Sequence, residues 1–136
     1  MNESTRDSAD YVAEAVDRGV NYFDVAPSYG NAEEMLGPAL KPYRQKVFLA
    51  CKTQKRDAAS ARASLEESLQ KLRTDRFDLF QLHAVTTDED VETILGPGGA
   101  LEAFVKAKEE GLVRYLGFSA HSEKAALALL DAFRFD

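Results

Sequence analysis

Asp24, Tyr29, Lys52 and His83 are the side chains of this sequence best suited to moving a proton, and each stands at or just past the end of an apolar run. The runs are Asn21-Tyr22-Phe23-Asp24-Val25, continuing through Ala26-Pro27-Ser28-Tyr29-Gly30; Val47-Phe48-Leu49-Ala50-Cys51-Lys52-Thr53; and Phe77-Asp78-Leu79-Phe80-Gln81-Leu82-His83. Helix-like sequence separates them, so three successive strands each deliver a polar group where the strand stops. In a parallel α/β fold those carboxyl ends share one face, where the following loops open to solvent and ligands gather. A tyrosine, a lysine, an aspartate and a histidine converging on one mouth point to proton donation to a carbonyl. Hydride reduction puts negative charge on the carbonyl oxygen, and a donor about 3 Å away must deliver a proton as that charge develops. Tyr29 is the expected acid. A free tyrosine, with a pKa of about 10, holds its proton firmly at neutral pH. A neighbouring ammonium, Lys52, favours the phenolate, and Asp24 would keep that ammonium charged and oriented. His83 would position the carbonyl oxygen, through whichever ring nitrogen carries the proton.

Each residue alone has an ordinary reading. An aspartate after a strand commonly caps a turn, and a tyrosine in Pro-Ser-Tyr-Gly commonly packs. A lysine at a strand end is commonly solvated, and a histidine near a core is commonly hydrogen-bonded there. It is their joint placement on successive strand ends that carries weight. A Schiff-base role for Lys52 and a metal held by His83, His121 and Asp24 are poorer readings. The lysine has a matched carboxylate and tyrosine, and the histidines lie on different strands without a ligand cluster.

The elements that must position these residues follow from periodicity and punctuation. Ser8 can cap a helix in which Tyr11, Val12, Ala15 and Val16 share a face, and Gly19 supplies its left-handed stop. A strand over about 20–25 follows, then a short helix over 32–40 that Pro42 helps to end. A second strand covers 47–52. Leu65, Leu69 and Leu72 make an apolar stripe in a helix over 60–73, with Arg62 and Glu66 one turn apart on its wetted side. The third strand, 77–82, leads into an acidic loop at Thr87-Asp88-Glu89-Asp90. Gly96-Pro97-Gly98-Gly99 reads as a turn into a helix over 100–110, since it lacks the strand and the Lys-Ser/Thr of a phosphate loop. Glu110-Gly111-Leu112-Val113 repeats the earlier Arg18-Gly19-Val20-Asn21, a glycine-closed helix passing straight into a strand, as right-handed parallel crossovers require. The fourth strand, 113–118, ends in Ser119-Ala120-His121-Ser122, and a last helix runs over 122–132. The terminal Arg134-Phe135-Asp136 echoes Arg76-Phe77-Asp78, which introduces the third strand.

Composition bounds the alternatives. The 136 residues fit one domain, and 45% apolar with 29% charged residues is ordinary for a globular protein. A net charge of -6 with no basic stripe argues against nucleic acid or an anionic membrane as the main partner. The lone cysteine, Cys51, forms no intrachain disulfide and is expected to be a buried small hydrophobe facing away from Lys52. Met1 to Asp7 is polar with both charge signs, unlike a signal peptide, and no apolar run approaches the ~18 residues of a membrane span. The cytoplasm is the expected compartment.

Four ordered blocks resemble the aldo-keto reductase family. They are Gly19 to Gly30 with Glu33, Glu34, Leu36 and Gly37; Cys51-Lys52-Thr53; Ser68 to His83; and Glu110 to Ser119. The resemblance implies a (β/α)8 barrel, of which residues 1–136 would form one partial domain of about four parallel βα units. The barrel's first strand and C-terminal units would lie outside it, since a whole barrel takes about 250 residues. It also implies that Asp24, Tyr29, Lys52 and His83 are a catalytic tetrad, with Asp24 and Ser119 contacting a nicotinamide cofactor. His121 stands where many relatives have asparagine, and either replaces that contact or merely starts the last helix. The implied activity is reduction of small aldehydes or ketones with NADP(H) or NAD(H), the cofactor site being incomplete and the chain inactive alone. The competing expectation is a non-catalytic partial barrel serving as a structural or interaction module. Either way, an uncovered inner face and open strand edges would drive self-association, most simply as a homodimer.

Overall fold

Within the apolar runs, alternate residues must face opposite sides of a sheet, and the burial of the strands divides accordingly. Leu49, Cys51, Phe80, Leu82 and Leu116 are buried on the side covered by helices. Phe48, Leu79, Gln81 and Tyr115 are only partly covered on the other. A computed structural model describes residues 5–136. Its four strands are β1 (Tyr22–Asp24), β2 (Phe48–Thr53), β3 (Phe77–Val85) and β4 (Val113–Ala120). They pair in parallel and in chain order. A parallel sheet with no switch in strand order is an arc of a barrel rather than a doubly wound sheet.

The helices are α1 (Thr5–Asp17), α2 (Ala32–Leu40), α3 (Ala58–Lys71), α4 (Asp88–Leu95), α5 (Ala100–Glu109) and α6 (Glu123–Ala132), with a 3-10 turn over Lys41–Lys46. Leu65, Leu69 and Leu72 are buried as their spacing predicts, and Phe80 meets Phe104 of α5 with ring centroids 4.8 Å apart. Arg62 pairs with Glu66 on the exposed side of α3 at 2.7 Å. Cys51 is fully buried.

Several local expectations need correction. Ser8 does not cap α1 but lies inside it, buried, because the helix already runs from Thr5. The acidic segment 87–90 is not a loop: it opens α4. The Thr87 hydroxyl accepts the Asp90 N–H at 3.0 Å, the three acids in the first turn face the positive end of the helix, and Val91 and Ile94 pack inward. Strand β1 is shorter than expected, while β3 and β4 run on to Val85 and Ala120.

The strand starts are locked by aspartates. Asp78 Oδ2 accepts the Leu49 N–H of the neighbouring strand at 2.8 Å and is gripped by Arg44 at 3.1 Å. Asp136 uses the same device two repeats later: its Oδ2 accepts the Leu116 N–H at 3.0 Å, and its own N–H donates to the Leu116 carbonyl at 3.0 Å. The echo between residues 76–78 and 134–136 is therefore structural, each segment lying along the edge of the strand before it.

Candidate active site

The carboxyl ends of β1, β2 and β3 bring three of the four expected side chains onto one face, and the loop after β1 brings the fourth. Lys52 is nearly buried, its side chain 8% exposed, and Nζ donates to Asp24 Oδ2 at 2.5 Å. The other Asp24 oxygen accepts from Gln81 Nε2 at 3.4 Å. Tyr29 sits over this pair on the turn after β1, with the Lys52 ammonium 5.3 Å from its ring centroid. The His83 ring stands edge-on to Tyr29, centroids 5.9 Å apart at 88°. Register explains the convergence: Asp24 lies opposite Ala50, and Lys52 opposite Gln81, so each step across the sheet advances the site one pleat along.

The electrostatics separate the cation from the imidazole. Burial works against the Lys52 ammonium, but the hydrogen bond to Asp24, with a further contribution from Tyr29, overrides it and raises the lysine pKa above its ordinary value. Lys52 is thus charged at neutral pH. His83 goes the other way: burial first, then the Lys52 charge, with smaller contributions from Arg56 and His121, lowers its pKa despite the opposing pull of Asp24. The ring is neutral at pH 7. Its Nδ1 is buried without a hydrogen-bond partner among the described residues. A buried unpaired N–H is rarer than an unpaired acceptor, so the tautomer with the lone pair on Nδ1 and the proton on Nε2 is favoured.

Ser119, at the end of β4, takes the Ala84 N–H on its hydroxyl oxygen at 2.9 Å, which leaves the hydroxyl proton free to donate. His121 is exposed, and its main-chain N–H, not its ring, is tied to the sheet, donating to the Val85 carbonyl at 3.1 Å. The cap of α6 is Ser122. Among the described residues no group of three potential metal ligands exists, and no helix is long and apolar enough to cross a membrane. A cleft of about 330 Å³ opens beside the site between α1 and α2, lined by Tyr11, Phe23, Asp24, Tyr29, Met35 and Leu36.

A profile of the Aldo/keto reductase family matches residues 2–132. The chain belongs to the aldo/keto reductase family. Among curated family members, it is 32% identical to Aldo-keto reductase YhdN of Bacillus subtilis, over 93% of this chain but 40% of that protein. Among solved structures, aldo-keto reductase AKR11C1 of Bacillus halodurans superposes with a TM-score of 0.80 at 31% identity, over 98% of this chain and 45% of its own. An aldo-keto reductase of Klebsiella pneumoniae in complex with NADPH gives a TM-score of 0.80 at 28% identity, over 97% of this chain and 46% of its own. The chain thus spans about two fifths to one half of the length of the relatives it matches. The four-stranded arc corresponds to that share of the aldo/keto reductase barrels.

Sequence reasoning missed Gln81, Arg56 and Asp90. Gln81 was legible: it lies two residues before His83 and therefore shares its face. Arg56 and Asp90 were not, because Arg56 lies 34 residues from Asp90 and 27 from the His83 carbonyl that it holds.

Proposed function

We propose that this arc is the proton-donating part of an NADP(H)-dependent carbonyl reductase, acting on small aldehydes or ketones when the barrel is complete. The observation that carries the reading is the nearly buried Lys52 paired with Asp24 and lying against the Tyr29 ring, with a neutral His83 edge-on beside it. The residues fit the nicotinamide end of the cofactor. Ser119 has a hydroxyl proton to donate beside His83, and Asp24, held by Lys52 and Gln81, stands at the same carboxyl ends of the strands. When bound, the reduced nicotinamide supplies the hydride. Tyr29 gives its phenolic proton to the carbonyl oxygen as charge develops there, leaving a phenolate that solvent reprotonates after the alcohol departs. Lys52 stabilises that phenolate, because an ammonium held charged by Asp24 is a fixed cation needing no reorganisation at the moment of transfer. His83, neutral and protonated on Nε2, donates a hydrogen bond that orients the oxygen without competing as an acid.

The test joins the arc to the complementary strands of a full-length family member and follows the near-ultraviolet absorbance of NADPH with a panel of aldehydes and ketones. Steady loss of the reduced cofactor that depends on the carbonyl is expected. A folded, NADPH-binding barrel that consumes none with any carbonyl would leave a non-catalytic module as the better account.

A further inference from the structure

Where β3 meets β4 the ladder slips by one residue. Leu82 lies opposite Phe118 and Val85 opposite Ala120, so His83 and Ala84 together face Ser119. Ala84 takes φ 54°, in the left-handed region. That conformation is strained for a residue with a Cβ, and such strain persists only where its surroundings over-determine it. Here they do. The Ser119 oxygen accepts the Ala84 N–H at 2.9 Å, and the Thr86 hydroxyl donates to the Ala84 carbonyl at 3.0 Å. Arg56 Nη2 donates to the His83 carbonyl at 2.9 Å and reaches that of Ala84 at 3.4 Å.

Arg56 is itself held from two sides. Asp90 Oδ1 accepts its Nε at 3.1 Å, while Asp90 Oδ2 accepts the Thr86 N–H at 3.4 Å, so one carboxylate ties the guanidinium to the bulge. The Arg56 carbonyl accepts the Ala100 N–H at 2.7 Å, and Asp57 bridges to Gly99, which fixes the loop after β2 on the start of α5. Arg56 Nη1 is buried without a partner among the described residues. An unpaired buried donor is destabilising, a cost that an apolar side chain in its place would avoid. What an apolar side chain cannot do is hold Asp90 through Nε at one edge of a planar fork and two adjacent carbonyls through Nη2 at the other.

We propose that Arg56, anchored by Asp90, is a positioning residue for His83: it holds the bulge that aims the imidazole at Tyr29. Its catalytic meaning rests on the reductase reading, but the placement does not. The groups facing the ring are Asp24 from β1, Tyr29 from the following turn, Lys52 from β2, Arg56 from the loop after it, and His121 beyond β4.

The sequence contains two histidines, so His121→Asn leaves His83 as the only imidazole. Long-range proton–nitrogen NMR spectra of the whole 136-residue chain then report its tautomer, line width and titration. The parent is expected to give one sharp neutral ring protonated on Nε2. Adding Arg56→Met should broaden or split those signals, mix the tautomers and shift the titration midpoint upward, since a cation has gone. Arg56→Lys restores the charge but not the fork, and should leave the signals split while returning the midpoint. An unchanged tautomer, line width and midpoint in folded Arg56→Met overturns the proposal, even if the melting temperature falls. Should that variant not fold, Asp90→Asn carries the test, because it keeps the shape and weakens only the grip on Nε; a smaller broadening supports the proposal and an unaltered ring overturns it. No turnover is measured, so a completed barrel that reduced no carbonyl would end the reductase reading and leave this result standing.

Discussion

The Lys52–Asp24 ion pair is expected to add little net stability. Removing Asp24 alone strands a nearly buried ammonium, whereas replacing Lys52 by an apolar group of similar length leaves behind a carboxylate that water already reaches. Lys52→Met is therefore expected to keep the unfolding free energy from urea denaturation within about 1 kcal/mol of the parent. Asp24→Ala should lose roughly 1–3 kcal/mol, less than a fully buried pair because Asp24 is about a third exposed and partly screened. The reverse order in urea denaturation would mean that the pair exists to hold the fold. Cys51 gives a second check at this scale. Burial, followed by the neighbouring Glu33 carboxylate, pushes its thiol up to about 12 from an ordinary 9.0. The folded state binds that proton more tightly than the unfolded state, so stability should fall as pH rises from about 9 towards 12. At pH 8 a thiol reagent should label Cys51 only at the rate of unfolding; rapid labelling of the native chain would contradict its burial.

Among the elements, the loop between α4 and α5 does more than turn the chain. A Cβ on Gly99 would lie 2.2 Å from the Thr93 carbonyl oxygen and 2.3 Å from that of Ile94. Because main chain cannot yield as a side chain end can, Gly99→Ala should cost roughly 1–3 kcal/mol. The same loop receives the Arg56 segment, so the variant should also disturb the β3 bulge; an unchanged thermal midpoint would show that the loop has slack. The strands and the convergence of Asp24, Tyr29, Lys52 and His83 were legible because period-two apolar runs ended in polar groups of complementary chemistry. Helix α4 was misread because Thr87-Asp88-Glu89-Asp90 looks like a solvated loop in composition, although a hydroxyl cap followed by acids is also how a helix starts. The bulge at His83 and Ala84 left no local mark, since no glycine signals the positive φ and two of the residues enforcing it, Arg56 and Ser119, are far away in sequence.

On the scale of the whole molecule, the two faces of the sheet are unequal. The helical face is dry, whereas Tyr22, 49% exposed, stacks on Phe48 at 4.9 Å, and Phe48 stacks in turn near Tyr115 at 6.2 Å, across the uncovered face. Strand β1 is an edge, an open template for pairing. The 136-residue chain is therefore expected to self-associate at micromolar concentration, most simply as a twofold dimer. Sedimentation equilibrium checks this, and a cooperatively folding monomer would require that face to be stable in water. The central claim, however, is that Tyr29 supplies the proton. Its most direct test is single-turnover reduction of an aldehyde by NADPH in a complete barrel carrying Tyr29→Phe, a change that removes only the hydroxyl. The account predicts that the chemical step slows roughly 100-fold or more while NADPH affinity is almost unaltered. Turnover within a few-fold of the tyrosine parent would contradict it and remove Tyr29 from the mechanism.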